Sequence, residues 1–326
     1  MSNILELRNV RKEFHSSSTK HPIVAVDDIS ISLGKGQTLG IVGESGSGKS
    51  TLGRLMLRLI EPTSGAIEFN SIDILKEKPA QLRNLRSQMQ MIFQDPMSSL
   101  NSRMTVRSLI GEPLDIHKVG SSSDRKAAIE AIAQKVGIAL NALDKYPHEF
   151  SGGQRQRISI ARAVINSPSL IVADEPVSAL DVSIQSQILN LLMDLRNEMH
   201  LTFVFISHDL SVVRHIADRV AVMYLGNIVE SAPTEELFNN PQHPYTKALI
   251  SAIPQVKSHL TAGEKAERII LLGDIPNPAN APSGCHFHPR CPVALPTCSE
   301  SVPFLRNFSE HHEVSCNLVD MPSSQG

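Results

Sequence analysis

Four short runs of this chain are apolar almost without interruption: TLGIV (38–42), MQMIF (89–93), SLIVAD (169–174) and TFVFIS (202–207). A strand covered on both faces has no solvent side, so runs of this kind predict buried β-structure rather than a half-exposed strand. Between them lie segments of helical length, Lys49–Leu59, Ile184–Met199 and Leu210–Ala217. That succession predicts a mostly parallel sheet with helices on both faces, an α/β fold. Two earlier segments, LELRNV (5–10) and ISISL (29–33), alternate apolar and polar positions and predict an antiparallel strand set at one edge.

From about 95 to 165 the pattern changes. TVRSLIGEPLDIH, DRKAAIEAIAQKVG and the segment after SGG read as helices with no strand between them, which predicts a helical insertion in the α/β core. Beyond about 235 prolines accumulate (PQHPY, DIPNPANAP), and all four cysteines fall in the last stretch. The expected division is therefore 1–235 as the α/β domain and 236–326 as a C-terminal extension with little regular structure.

The length of 326 residues, 41% of them hydrophobic, suffices for a substantial core. With 31 basic and 33 acidic residues the net charge is -2, which argues against nucleic acid as a partner, because phosphate neutralisation requires a basic face. The start, MSNILELRNVRKEFH, places charges where a secretory signal needs an apolar stretch, and no run is long enough to span a bilayer. These features predict a soluble, cytosolic chain.

The candidate chemistry begins directly after TLGIV. GESGSGKST fits G-x-x-x-x-G-K-[ST], comprising Gly43, Glu44, Ser45, Gly46, Ser47, Gly48, Lys49 and Ser50, with Thr51 following. Glycines let the backbone wrap an anion so that successive N–H groups and a helix N-terminus face phosphate. Lys49 would reach the β and γ oxygens, and Ser50 would ligate Mg2+. SLIVADEP then ends an apolar strand in Asp174 and Glu175. Asp174 would hold Mg2+ through its outer shell and Glu175 would polarise a water for in-line attack, although acids at strand ends are often only solvated or helix-capping.

FSGGQRQRISIARA (150–163) closely resembles the signature of ATP-binding cassette proteins. The resemblance extends along the chain in family order: Phe14, Gly43 to Thr51, Gln94, Ser151 to Gln154, Asp174 with Glu175, SALD ending at Asp181, and His208. It implies a P-loop ATPase core with an antiparallel β edge and a helical subdomain. It further implies that Phe14 stacks on adenine, that Gln94 senses Mg2+ and relays closure to a membrane partner, and that His208 contacts the γ-phosphate and the attacking water. In this family Ser151, Gly152, Gly153 and Gln154 face the triphosphate held by another subunit, with Asp181 among the nucleotide-site residues. One phosphate loop and one signature then require head-to-tail pairing with a second ATPase.

MIFQDPMSSLNSRMT, KYPHEFSGGQRQR, ADEPVSALDVS and NPQHPYTKALISAIP resemble the ATPase subunits of oligopeptide, dipeptide and nickel importers, most nearly the F-type peptide-importer subunit. The resemblance implies a paralogous D-type ATPase partner in a heterodimer and two transmembrane permease subunits. An extracytoplasmic binding protein would act only indirectly, and the chain would lie on the cytoplasmic face of the plasma membrane. Peptide is the expected cargo, with nickel or another small solute as the alternative. A soluble, non-transport cassette ATPase is the reading from a different class, but such proteins usually carry two cassettes or a long coiled coil between the motifs. Neither is present.

The four cysteines, Cys285, Cys291, Cys298 and Cys316, are spaced unlike the C-x2-C pairs of zinc ribbons and unlike the compact ferredoxin run. In a reducing compartment they point to metal ligation or free thiols rather than disulfides. Some relatives bind a 4Fe–4S cluster with such a pattern, and the resemblance implies one here. Zn2+, with His286 or His288 assisting, and unliganded thiols are the alternatives.

Overall fold

The computed structural model describes residues 3–15, 22–253 and 268–319. Five parallel strands form one side of an eight-stranded sheet, in the order Arg219–Tyr224, Thr38–Val42, Thr202–Ser207, Leu170–Asp174 and, at the edge, Met89–Ile92. The second, third and fourth of these are buried at every position, as their uninterrupted apolar character predicts. Successive residues face opposite layers. Val42, Ile171, Ala173, Phe203 and Phe205 pack into one core with the helical segment, whereas Leu39, Ile41, Val172, Val204 and Ile206 pack into a second core under the antiparallel strands.

Register aligns the strand ends. Val42 lies opposite Ser207, Asp174 opposite Ile206 and Ile92 opposite Ala173, so the loops that follow all leave the sheet at its carboxyl edge. In an open parallel sheet that edge is where ligands bind.

The predicted antiparallel set is a separate four-stranded sheet in the order Ile23–Gly34, Asn3–Phe14, Ser64–Phe69 and Ile72–Asp73. Residues 95–165 are helical, with helices Pro96–Ser99, Val106–Ile116, Ser122–Lys135 and Gly152–Val164 and no strand among the described residues. The helix expected over Lys49–Leu59 stops at Met56. Arg58 turns into the left-handed region at φ 46°, and the Leu59 N–H donates back to the Arg54 carbonyl at 2.8 Å, which closes the helix before its apolar pattern runs out.

The extension is more ordered than its composition predicts. Thr234–Asn239 and Pro244–Ser251 are helices, and much of the later described chain is turns and short 3-10 segments. Its last described part is a hairpin, Arg306–Ser309 with His312–Val314, which pairs antiparallel with Asn227–Pro233 and so extends the main sheet at the end opposite Met89–Ile92. Buried Glu230 fastens the three pieces: its carboxylate accepts from the N–H groups of Gln242 and His243 and faces His312 Nε2 at 2.7 Å. No described helix is long and apolar enough to cross a membrane.

Candidate active site

The loop Gly43–Gly48 joins a buried strand to the helix Lys49–Met56, and close approach dictates its glycines. A Cβ at Gly43 would lie 2.1 Å from the Met223 carbonyl oxygen, and one at Gly48, where φ is 102°, would lie 2.1 Å from that of Ala25. Ala25 belongs to the strand paired with Phe14, so the loop abuts the sheet that carries the predicted adenine-stacking ring. Phe14 ends its strand 40% exposed, with the Lys12 ammonium 5.0 Å from the ring centroid.

Lys49 is buried and donates to the carbonyls of Gly43 and Glu44 at 2.7 and 2.8 Å. Burial lowers its pKa from the ordinary lysine value, against the opposing pull of Glu175, Asp174 and Glu44. Ser50 Oγ donates to Asp174 Oδ1 at 2.8 Å, which brings two oxygen donors to one point, the donor chemistry a hard divalent cation takes. Burial raises the Asp174 carboxyl above its usual range, with the Ser50 hydroxyl and then Arg54 acting the other way.

Glu175 follows in the left-handed region at φ 45°, its N–H donating to the Ile206 carbonyl at 3.0 Å. A non-glycine residue held there is strained, and the turn directs the carboxylate across the carboxyl edge. Gln94 Nε2 donates to Glu175 Oε2 at 3.1 Å, and His208 Nδ1 lies 3.2 Å from the same oxygen. Three residues from three loops thus meet at one carboxylate.

The signature lies apart from this cluster. Ser151 caps the helix Gly152–Val164, its side chain accepting from the Gln154 N–H while Gln154 Oε1 accepts from the Ser151 N–H. Ser151, Gly152 and Gln154 are exposed, and among the described residues no hydrogen bond joins this turn to Gly43–Thr51. A Cβ on Gly153 would lie 2.5 Å from Ile184 Cγ2, so the signature helix packs closely on Val182–Met199. Asp181 stands exposed at the start of that helix, beside Val182 at 78% exposure.

The four thiols are free and line one small cavity together with His243, Phe287 and His288. Burial pushes the thiols of Cys285, Cys291 and Cys316 up from the ordinary cysteine value, and the neighbouring thiols add to the shift. His288 Nδ1 is engaged with the Cys285 carbonyl at 2.9 Å, and His286 lines an adjacent cavity. Among the described residues no group of three or more His, Cys, Asp or Glu is arranged to hold a metal ion. Neither the expected 4Fe–4S cluster nor the zinc alternative gains support from this arrangement.

Sequence reasoning missed one connection. Arg290, between Cys285 and Cys291, forms a two-pronged ion pair with Glu44 of the phosphate loop, at 2.7 and 3.0 Å. Tyr245 Oη accepts from the Glu44 N–H at 3.0 Å. These partners lie 246 and 201 residues from Glu44 in sequence, and no local pattern announces them.

A family model described as ABC transporter matches residues 26–178, and one described as the C-terminal region of oligopeptide/dipeptide transporters matches residues 229–298. The chain is 52% identical over 321 residues to the oligopeptide transport ATP-binding protein AppF of Bacillus subtilis (strain 168), covering 97% of both chains. It is 48% identical over 325 residues to the oligopeptide transport ATP-binding protein OppF of Salmonella typhimurium, covering 97% of this chain and 96% of that one. A dimeric, post-hydrolysis ATP-binding cassette, MJ0796, bound to ADP and Pi superposes with a TM-score of 0.65 at 28% identity, covering 71% of this chain and 98% of that one. CbiO1 of Clostridium perfringens, part of the CbiONQ transporter complex, also gives 0.65, at 26% identity, covering 74% of this chain and 92% of that one.

Proposed function

The chain belongs to the ABC transporter family, and from that premise we propose that it hydrolyses ATP to drive the import of di- or oligopeptides. The observation that carries the reading is the meeting of Gln94, Glu175 and His208 beside the Ser50–Asp174 pair. In this reading Lys49 exchanges its two carbonyl partners for β- and γ-phosphate oxygens. Ser50, Gln94 and Asp174 would hold Mg2+, which when bound would offset phosphate charge. Glu175 takes the proton of the attacking water, His208 steadies the water and the γ-phosphate, and Phe14 stacks on adenine.

The exposed signature turn supports a site completed by a second ATPase subunit. Ser151, Gly152, Gly153 and Gln154 then serve the partner's triphosphate, with Asp181 and the bare Val182 side chain at the same seam. We assign the partner as a D-type paralogue. Two permease subunits would hold the pair at the cytoplasmic face of the plasma membrane and receive cargo from an extracytoplasmic binding protein. Peptide is favoured by the relatives, which are named oligopeptide transport ATP-binding proteins, and by the match over 229–298.

For the tail, with its boundary near 235, we propose a structural 4Fe–4S cluster held by Cys285, Cys291, Cys298 and Cys316. The four thiols that line one cavity are the donor set such a cluster takes, and a cube of four irons spreads its thiolates more widely than a single ion does. Binding would require the raised thiols to release their protons.

Reconstitution with the permeases and binding protein in vesicles tests the function. Peptide uptake that consumes ATP is expected, whereas uptake of nickel alone, or hydrolysis indifferent to any cargo, would overturn the assignment.

A further inference from the structure

The phosphate loop is an anion site that carries a carboxylate. Its N–H groups and the following helix start favour negative charge, yet Glu44, its second residue, would repel a triphosphate if its charge were left unbalanced. Arg290 balances it. Both guanidinium nitrogens of the fork engage both carboxylate oxygens, and with the arginine side chain 7% and the glutamate side chain 26% exposed the pair is partly shielded from water. The backbone of Glu44 is held as well, its N–H donating to Tyr245 Oη and its carbonyl accepting from Lys49. Behind these contacts Tyr224, Tyr245 and Phe287 pack ring against ring, with centroids 4.8 to 5.3 Å apart, and Arg290 lies 6.0 Å from the Tyr224 ring. Tyr245 and Phe287 come from the extension, and Tyr224 from the main sheet.

We propose that Arg290 is a positioning residue of the nucleotide site, which neutralises Glu44 and turns its carboxylate away from the phosphates, while Tyr245 holds the loop backbone. The C-terminal extension thereby takes part in binding ATP, although the site motifs all lie before residue 209. Because the effect is electrostatic, it scales with phosphate charge, larger for ATP than for ADP.

The inference rests on Gly43–Thr51 binding ATP, and the test separates the two. Mg-ATP and Mg-ADP affinities are measured by calorimetry on the full chain and on Arg290→Ala, Glu44→Gln and the double variant. Arg290→Ala is expected to weaken ATP binding about tenfold and ADP binding by less, because it leaves an unscreened carboxylate beside the phosphates. Glu44→Gln keeps an acceptor for Arg290 but removes the negative charge, and should bind ATP about threefold more tightly than wild type. In the Glu44→Gln background the arginine change should cost less than about twofold, since no charge remains to balance. An arginine that mattered only for folding would give a double variant as weak as Arg290→Ala, and that result, or unchanged ATP affinity in Arg290→Ala, overturns the proposal. Should Arg290→Ala not fold, Glu44→Gln decides alone: weaker or unchanged ATP binding there is equally fatal. A wild-type chain that bound no Mg-ATP would instead overturn the function itself.

Discussion

Gln94 donates its side-chain amide to Glu175 Oε2 at 3.1 Å, and His208 Nδ1 lies 3.2 Å from the same oxygen. The proposed general base is therefore engaged by the two loops assigned to contact Mg2+ and the γ-phosphate. Both contacts converge on one carboxylate oxygen, so binding chemistry and loop position meet in a single atom.

Glu175→Gln keeps the shape of that side chain and removes the base. Hydrolysis should fall by about 100-fold or more, while Mg-ATP binding survives and the closed ATPase pair accumulates. Single-turnover hydrolysis beside size-exclusion chromatography reads both effects, and turnover near wild type would remove Glu175 from its role.

Ser151→Ala deletes the cap of the signature helix, at a cost of about 1 kcal/mol in stability. Because the turn faces outward, ATP affinity of the isolated chain should stay near wild type while hydrolysis by the assembled pair drops about tenfold. A loss of affinity in the isolated chain would mean that the turn serves its own nucleotide.

His243 gives a pH dependence of definite sign. Burial lowers its pKa to about 4, and its Nδ1 accepts from the Tyr245 N–H, which requires the neutral ring. The unfolded chain's imidazole protonates near pH 6.5 and the native one does not. Stability from this group is thus complete above about pH 6.5 and falls by about 1.4 kcal/mol for each unit toward pH 4. His243→Asn, which keeps an acceptor for the cap, should flatten urea midpoints between pH 4.5 and 6.5 relative to wild type, by about that slope. Parallel curves would show that the ring does not control acid stability.

Anaerobic purification should yield about four irons and four sulfides per chain, with visible absorption that Cys298→Ser abolishes. One equivalent of zinc without iron would reject the cluster. Metal removal should lower the melting temperature by several degrees, as expected for a staple on a tail with few apolar residues of its own.

The carboxyl edge of the sheet was legible in the sequence because its strands are buried on both faces, and because phosphate chemistry needs particular residues at fixed spacing. Gly43 to Ser50, Asp174 with Glu175, and the caps at Ser151 are local facts of the chain. The hairpin at 306–314 was not legible: its strands are four and three residues long, mix polar with apolar positions, and bury a histidine. The Arg290–Glu44 pair was hidden for another reason. An arginine among prolines and cysteines shows no periodicity, and only the folded topology brings it to the loop. Helix ends depend on turn geometry that apolar spacing does not encode, which is why Leu59 fell outside its predicted element.

The place of that hairpin also bears on biosynthesis. A ribosome delivers Asn227–Pro233 some eighty residues before His312–Val314 can lie against it. Until then the nascent chain presents one raw β-border, open to adhesion between neighbours on the same message. Cys316 follows that strand almost directly, so the segment that covers the border and the last thiol reach the folding chain together.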